Sequence, residues 1–127
     1  MRLPSYLSFR RLRETTCSQI FLCRLETRTL PDGTELLVAA DRRSRLRGLT
    51  GLDALPADQA LLIERCRSVH TAGMRFALDL LWLDGAGHVI RLDTHVKPRR
   101  ARTCVRARAV IETSAGCGER FATALRA

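Results

Sequence analysis

The run "RFALDLLWLDGAGHVIRLDTHV" (75–96) constrains the fold more than any other stretch. Its first part is almost wholly apolar, and the turn "DGAG" separates it from a second strand-like segment, "HVIRLDTHV". Two such segments joined by a short glycine-containing connection predict an antiparallel hairpin. Side chains alternate across a strand, so Phe76, Leu78, Leu80 and Trp82 share one face. Ala77, Asp79, Leu81 and Leu83 share the other, which sets Asp79 among leucines. A carboxylate there costs several kcal/mol unless it is paired, hydrogen-bonded or open to water. Three partners suit it. Arg45 or Arg47 would give a charge-assisted pair. The backbone N–H groups of the glycine break at Gly73 would anchor it. His70 would bond to it, which would raise the imidazole pKa and fix its tautomer. The structural alternative is that Asp79 simply locks the turn 70–75.

The rest of the chain is read around that hairpin. "IFLCRLET" and "TELLVAA" flank "PDG"; the Asp32-Gly33 pair predicts a first hairpin with strands near 20–28 and 34–40. Asp41 is placed to cap a short helix carrying Leu46 and Leu49 at helical spacing, ended by Gly48 and Gly51. "ALLIERCRSV" (60–69) predicts one further strand, interrupted by "HTAGM". Residues 97–108, "KPRRARTCVRAR", hold six basic residues and no acid and predict a basic loop leading into a last strand, "RAVIET". A terminal helix starts at Ser114 or Gly116, with Phe121 and Leu125 on one face. "SAGCG" within that segment is small-residue-rich but too short for a phosphate cradle.

The stretch "CRSVHTAGMRFALDL" (66–80) gathers the chemistry-bearing side chains. His70 suits acid–base work near neutral pH, although a lone histidine is as often a hydrogen-bonded structural group. A Cys66–His70 dyad fails on reach: four residues along a strand is ~13 Å. Cys66, His70 and Met74 together would suit a soft ion such as Cu(I), but nothing elsewhere repeats the signal, and no metal or cofactor is assigned. The chain contains no GxGxxG, Walker, GxSxG or HExxH pattern.

Composition narrows the class. With 127 residues, 46% hydrophobic and 28% charged, the sequence fits one globular domain. The five cysteines show neither CxxC nor zinc-finger spacing, which predicts reduced thiols in a cytoplasmic setting. The first 18 residues read as a flexible basic tail lacking the apolar core of a secretory signal, and 19–127 as the domain. No run approaches the ~18 apolar residues of a membrane span. The net charge of +9 rests on arginine, with Lys97 the sole lysine. It permits contact with nucleic acid or a membrane surface without demanding it. The basic run lacks interleaved aromatics to stack on bases.

"RLRGLTGL" (45–52), "LLIERCRSVHTAGMRFALDLLWLDGAGHVI" (61–90) and "ARAVIETSAGCGERF" (107–121) give the chain a resemblance to the domain of unknown function 192 family, over roughly 22–125. The resemblance implies a compact α+β domain, mainly antiparallel β, curled into a barrel-like sheet with two short helices. By match, Arg45, Gly48, Leu49, His70, Thr71, Gly73, Met74 and Asp79 stand at the family's motif positions. The chain departs from the family at Ala72 and Ala77, where an aromatic and a proline are frequent, and at Thr113-Ser114, where leucine-proline is usual. The family has no agreed activity.

The expectation is therefore a single-domain binding module with a small polar pocket formed by Arg45, His70, Thr71, Met74 and Asp79, taking a small anionic ligand. Two rivals stand beside it. One is a hydrolase- or lyase-like enzyme with His70 as acid/base and Asp79 as its orienter. The other is a phosphate or RNA surface binder using 97–108. The sequence leaves oligomeric state open.

Overall fold

The computed structural model describes residues 25–126. The expected basic tail, the first part of the first hairpin, Cys17 and Cys23 lie outside the described residues. Eight strands and two helices follow in the order β1 (Glu26–Thr29), β2 (Glu35–Ala39), α1 (Arg42–Arg47), β3 (Gln59–Glu64), β4 (Ser68–His70), β5 (Leu78–Leu83), β6 (Val89–Val96), β7 (Ala101–Thr103), β8 (Ala109–Ser114) and α2 (Gly118–Arg126). Six strands form one sheet in the order β1-β2-β3-β8-β5-β6, and β4 pairs with β7 in a separate two-stranded ribbon. All pairings are antiparallel except β2 with β3. The described residues are thus mostly β with two helices, on a mixed sheet. The sheet is open, with β1 and β6 as its edges. Among the described residues no pairing closes the barrel-like curl that the resemblance implies.

Both expected hairpins form. In the first, Gly33 takes φ 87° and the turn is held by Leu30 N–H to the Thr34 carbonyl at 2.8 Å. In the second, Gly87 at φ 84° closes the turn between β5 and β6. The apolar strand starts later than its pattern suggests, at Leu78 rather than Arg75. Residues 75–77 instead bend across the sheet end, where the Ala77 carbonyl accepts from Ala115 N–H at 3.1 Å.

The expected single strand 60–69 is two strands. Arg65 has φ 52°, a left-handed conformation that breaks the ladder. β4 therefore leaves the main sheet and runs against β7. The "basic loop" 97–108 accordingly contains a strand. It is tied back by Thr71, whose hydroxyl donates to the Lys97 carbonyl at 2.7 Å and accepts from Arg100 N–H at 2.8 Å.

α1 has the expected cap, with Ser44 N–H donating to Asp41 Oδ1 at 2.7 Å. Its apolar spacing misleads, however: Leu49 is buried but Leu46 is 73% exposed. The helix is only six residues long, so Leu46 and Leu49 do not share a continuous helical face. α1 lies in the parallel crossover between β2 and β3.

The sheet carries apolar side chains on both faces. On one, Leu37, Ala39, Leu61, Ile63, Leu78, Leu80, Trp82 and Val110 pack with Leu49, Leu52 and Leu55 of the crossover and with Val69 of β4. On the other, Leu36, Val38, Leu62, Leu81, Leu83 and Ile111 pack with Phe121 and Ala122 of α2. β8 runs between β3 and β5, so its buried residues belong to both layers. Trp82 is fully buried, and its indole N–H donates to Asp93 Oδ2 at 3.0 Å.

Candidate functional site

Two carboxylates are buried in these layers, one on each face, and their surroundings differ. Asp79 faces α2 and is saturated. Its Oδ1 accepts from His95 N–H at 2.9 Å, and its Oδ2 accepts from Gly116 N–H at 3.0 Å and Gly118 N–H at 2.9 Å. None of these donors comes from the glycine break at 73 or from His70 or Arg45. The compensation that the sequence demands exists, but it is drawn from β6 and from the "SAGCG" turn. That turn does cradle an anion: the protein's own Asp79. A Cβ added at Gly118 would lie 2.9 Å from Asp79 Oδ2, so only glycine lets the backbone come this close.

Glu112 faces the opposite layer. In β8 its register partners are Leu61 of β3 and Leu80 of β5. Its residue exposure is 4%, and Oε2 is buried with no hydrogen-bond partner. Burial among leucines pushes its carboxyl pKa from the ordinary value of 4.5 up to about 7. Gly48 lies against it: a Cβ added there would sit 3.5 Å from Glu112 Oε2. Gly48 ends α1 at φ 52°, ψ −135°, a region that side-chain-bearing residues avoid.

Glu112 lines a cleft of about 370 Å³. α1 and the residues after it contribute Arg42, Arg45, Leu46, Arg47, Gly48, Leu49 and Thr50; the β3–β4 segment contributes Ile63, Arg65, Cys66, Ser68, Val69 and His70; Met74 completes it. The buried groups, Leu49, Ile63, Val69, Met74 and Glu112, form its inner surface. The exposed Arg42, Leu46, Arg65 and His70 form its rim. Burial pushes the Cys66 thiol up, and its Sγ–H donates to the Ser68 carbonyl at 3.2 Å. The Cys66 thiolate is thereby disfavoured, which does not suit a nucleophile.

Of the residues expected at a site, Arg45, His70 and Met74 meet at this cleft. Thr71 and Asp79 do not line it; Thr71 is buried in its clasp on the Lys97–Arg100 segment, and Asp79 lies under α2. Glu112 was not among the expected residues. The signal was present in "AVIET": an acid at an even offset from Val110 in a strand apolar on both faces. It obeys the same rule that singled out Asp79. No group of three or more His, Cys, Asp or Glu side chains able to hold a metal exists among the described residues. Cys66, Cys104 and Cys117 are free thiols.

An open, mixed six-stranded sheet with a helix-bearing crossover on one face and a terminal helix on the other defines the class of α+β domain. The chain belongs to the DUF192 family, described as uncharacterized ACR, whose sequence pattern matches residues 25–124. No curated protein matches it. Two solved structures share the fold. One is a proposed transcription regulator from Sinorhizobium meliloti 1021, with TM-score 0.62, 19% identity, and coverage of 75% of this chain and 82% of that one. The other is a protein of unknown function from Novosphingobium aromaticivorans DSM 12444, with TM-score 0.62, 13% identity, and coverage of 84% and 91%. No helix among the described residues is long and apolar enough to cross a membrane.

Proposed function

We propose that the protein is a binding module for a small anionic molecule, received in the cleft between α1, β4 and β8. The observation that carries this reading is Glu112: a buried carboxyl oxygen with no partner, lining a cleft whose rim is arginine. Buried polar groups are ordinarily satisfied, and an exception at a concave surface marks a place where a ligand completes the bonding. Arg42, Arg45 and Arg65 supply the positive field that draws an anion in. The acid/base rival relied on Asp79 to orient His70, and Asp79 is already engaged by three backbone N–H groups.

The test is an amide ¹H–¹⁵N NMR titration of the protein with hexanoate and, separately, inorganic phosphate. Shifts centred on Gly48, Cys66 and His70, lost in Arg45→Gln, are expected. Shifts centred on Arg99–Thr103 instead would transfer the function to the basic β7 ribbon and overturn the cleft reading.

A further inference from the structure

We infer that the cleft takes its anion together with a proton, Glu112 donating a hydrogen bond to the oxyanion of a small carboxylate that carries an apolar tail. This rests on the binding reading above and adds the chemistry of the contact.

The inner surface of the cleft decides the matter. Glu112 sits in register between Leu61 and Leu80, with Leu49, Ile63, Val69 and Met74 as the buried walls. An ionised carboxylate in that setting carries a heavy desolvation cost, while a neutral carboxyl keeps an O–H to give. An ionised Glu112 would also repel the anion that the arginine rim attracts. The neutral acid does the reverse, since an O–H donated to an oxyanion is among the short, strong hydrogen bonds. Burial has already moved Glu112 into the range where it holds a proton near neutral pH. The same walls that exclude water accept an alkyl or aryl tail. The volume of about 370 Å³ is that of a small-molecule site. A ligand with an oxyanion at one end and hydrocarbon at the other satisfies the floor, the walls and the rim together.

The charged and titratable groups that line the cleft with Glu112 enter the pH argument. α1 presents Arg42, Arg45 and Arg47; the β3–β4 connection presents Arg65 and Cys66; β4 presents His70. The adjoining strands place Leu61, Ile63 and Leu80 beside it, which carry no charge. The arginines stay charged throughout, and burial pushes Cys66 up. His70 is the remaining ionisable side chain lining the cleft, so its replacement is the control for assigning the slope to Glu112.

The experiment measures binding of hexanoate, hexylamine and hexanamide between pH 5.5 and 8.5, by calorimetry and by the amide shifts of the cleft. Hexanoate is expected to bind best. Its Kd should rise about tenfold per pH unit above about 7, with roughly one proton taken up per molecule bound near pH 8. Glu112→Gln, which donates an N–H at every pH, should keep hexanoate and lose the slope. His70→Gln, whatever it does to affinity, should leave the pH slope in place; loss of the slope in that variant would assign it to the imidazole and overturn the inference. Tighter hexanoate binding as pH rises, a flat profile in the unaltered protein, or preference for hexylamine would overturn the inference. A flat profile with anion-specific shifts at the cleft would leave the binding reading standing. No cleft response to hexanoate would overturn the inference, and none to hexanoate or to inorganic phosphate would sink both. If Glu112→Gln does not fold, the ¹³C titration of the Glu112 carboxyl decides. An upward move of its midpoint with hexanoate supports the inference; a downward move, or none, refutes it.

Discussion

At the scale of single residues, the protein holds two buried carboxylates by opposite means. Asp79 meets three backbone donors, and Glu112 meets leucines. Glu112 makes stability depend on pH in a definite direction. Its folded-state pKa lies above its ordinary value, so between 4.5 and about 7 the folded chain keeps a proton that the unfolded chain has released. The stabilisation is whole below the lower value and gone once pH passes the upper. The span corresponds to about 3 kcal/mol. Urea unfolding at pH 5 and pH 8 should show the protein weaker at pH 8 by an amount of that order, and Glu112→Gln should remove most of the difference. An equal loss in both proteins would show that another group sets the slope.

At the scale of elements, the Asp79 clasp fixes where α2 begins. Gly118 is the first residue of α2, and its N–H, which no helical carbonyl can satisfy, is given to Asp79. Gly118→Ala should cost about 2–4 kcal/mol, because the added carbon would sit 2.8 Å from Leu92 Cδ1 and 2.9 Å from Asp79 Oδ2. Asp79→Asn should cost a similar amount, since an amide nitrogen cannot accept from the N–H it would face. Thermal melts, with amide exchange of residues 116–126 as the local readout, would check both; an unchanged melting temperature in either variant would refute the clasp. Much of the architecture was legible at this scale. Asp32-Gly33 and the "DGAG" turn marked the hairpins because turn geometry is local, and Asp41 marked the start of α1 for the same reason. The break at Arg65 was not legible, since nothing in "ALLIERCRSV" disfavours a continuous strand. Only the pairing of β4 with β7 draws the chain out of the sheet. For Asp79 the need for partners followed from its neighbours in sequence, but the donors came from residues 16, 37 and 39 positions away. Such distances follow from topology, not pattern. Glu112 was legible as a buried acid by the same rule, but its lack of a partner was not, because that depends on Leu61 and Leu80 of two other strands.

At the scale of the whole molecule, β8 joins what would otherwise be two separate pieces. β3 and β5 do not pair with each other; each pairs with β8. A chain ending at Arg108 should therefore show no cooperative unfolding transition, because β1-β2-β3 and β5-β6 would each lose a partner strand along an apolar edge. Circular dichroism against urea would show this, and a sigmoidal transition in the shortened chain would contradict it. The site belongs to this scale as well. Its rim comes from the β2–β3 crossover and the β3–β4 segment, its walls from the crossover, β3 and β4, and its floor from β8, so an intact cleft reports that the sheet has assembled.

The order in which these pieces leave the ribosome has a cost of its own. β3 and β5 are translated before the strand that shields them, and at ~5–20 residues per second the wait lasts a few seconds. During that interval the nascent polypeptide carries two sticky hydrocarbon segments with unmatched peptide groups, a natural client for a chaperone and a ready seed for aggregation when synthesis stalls short of residue 109.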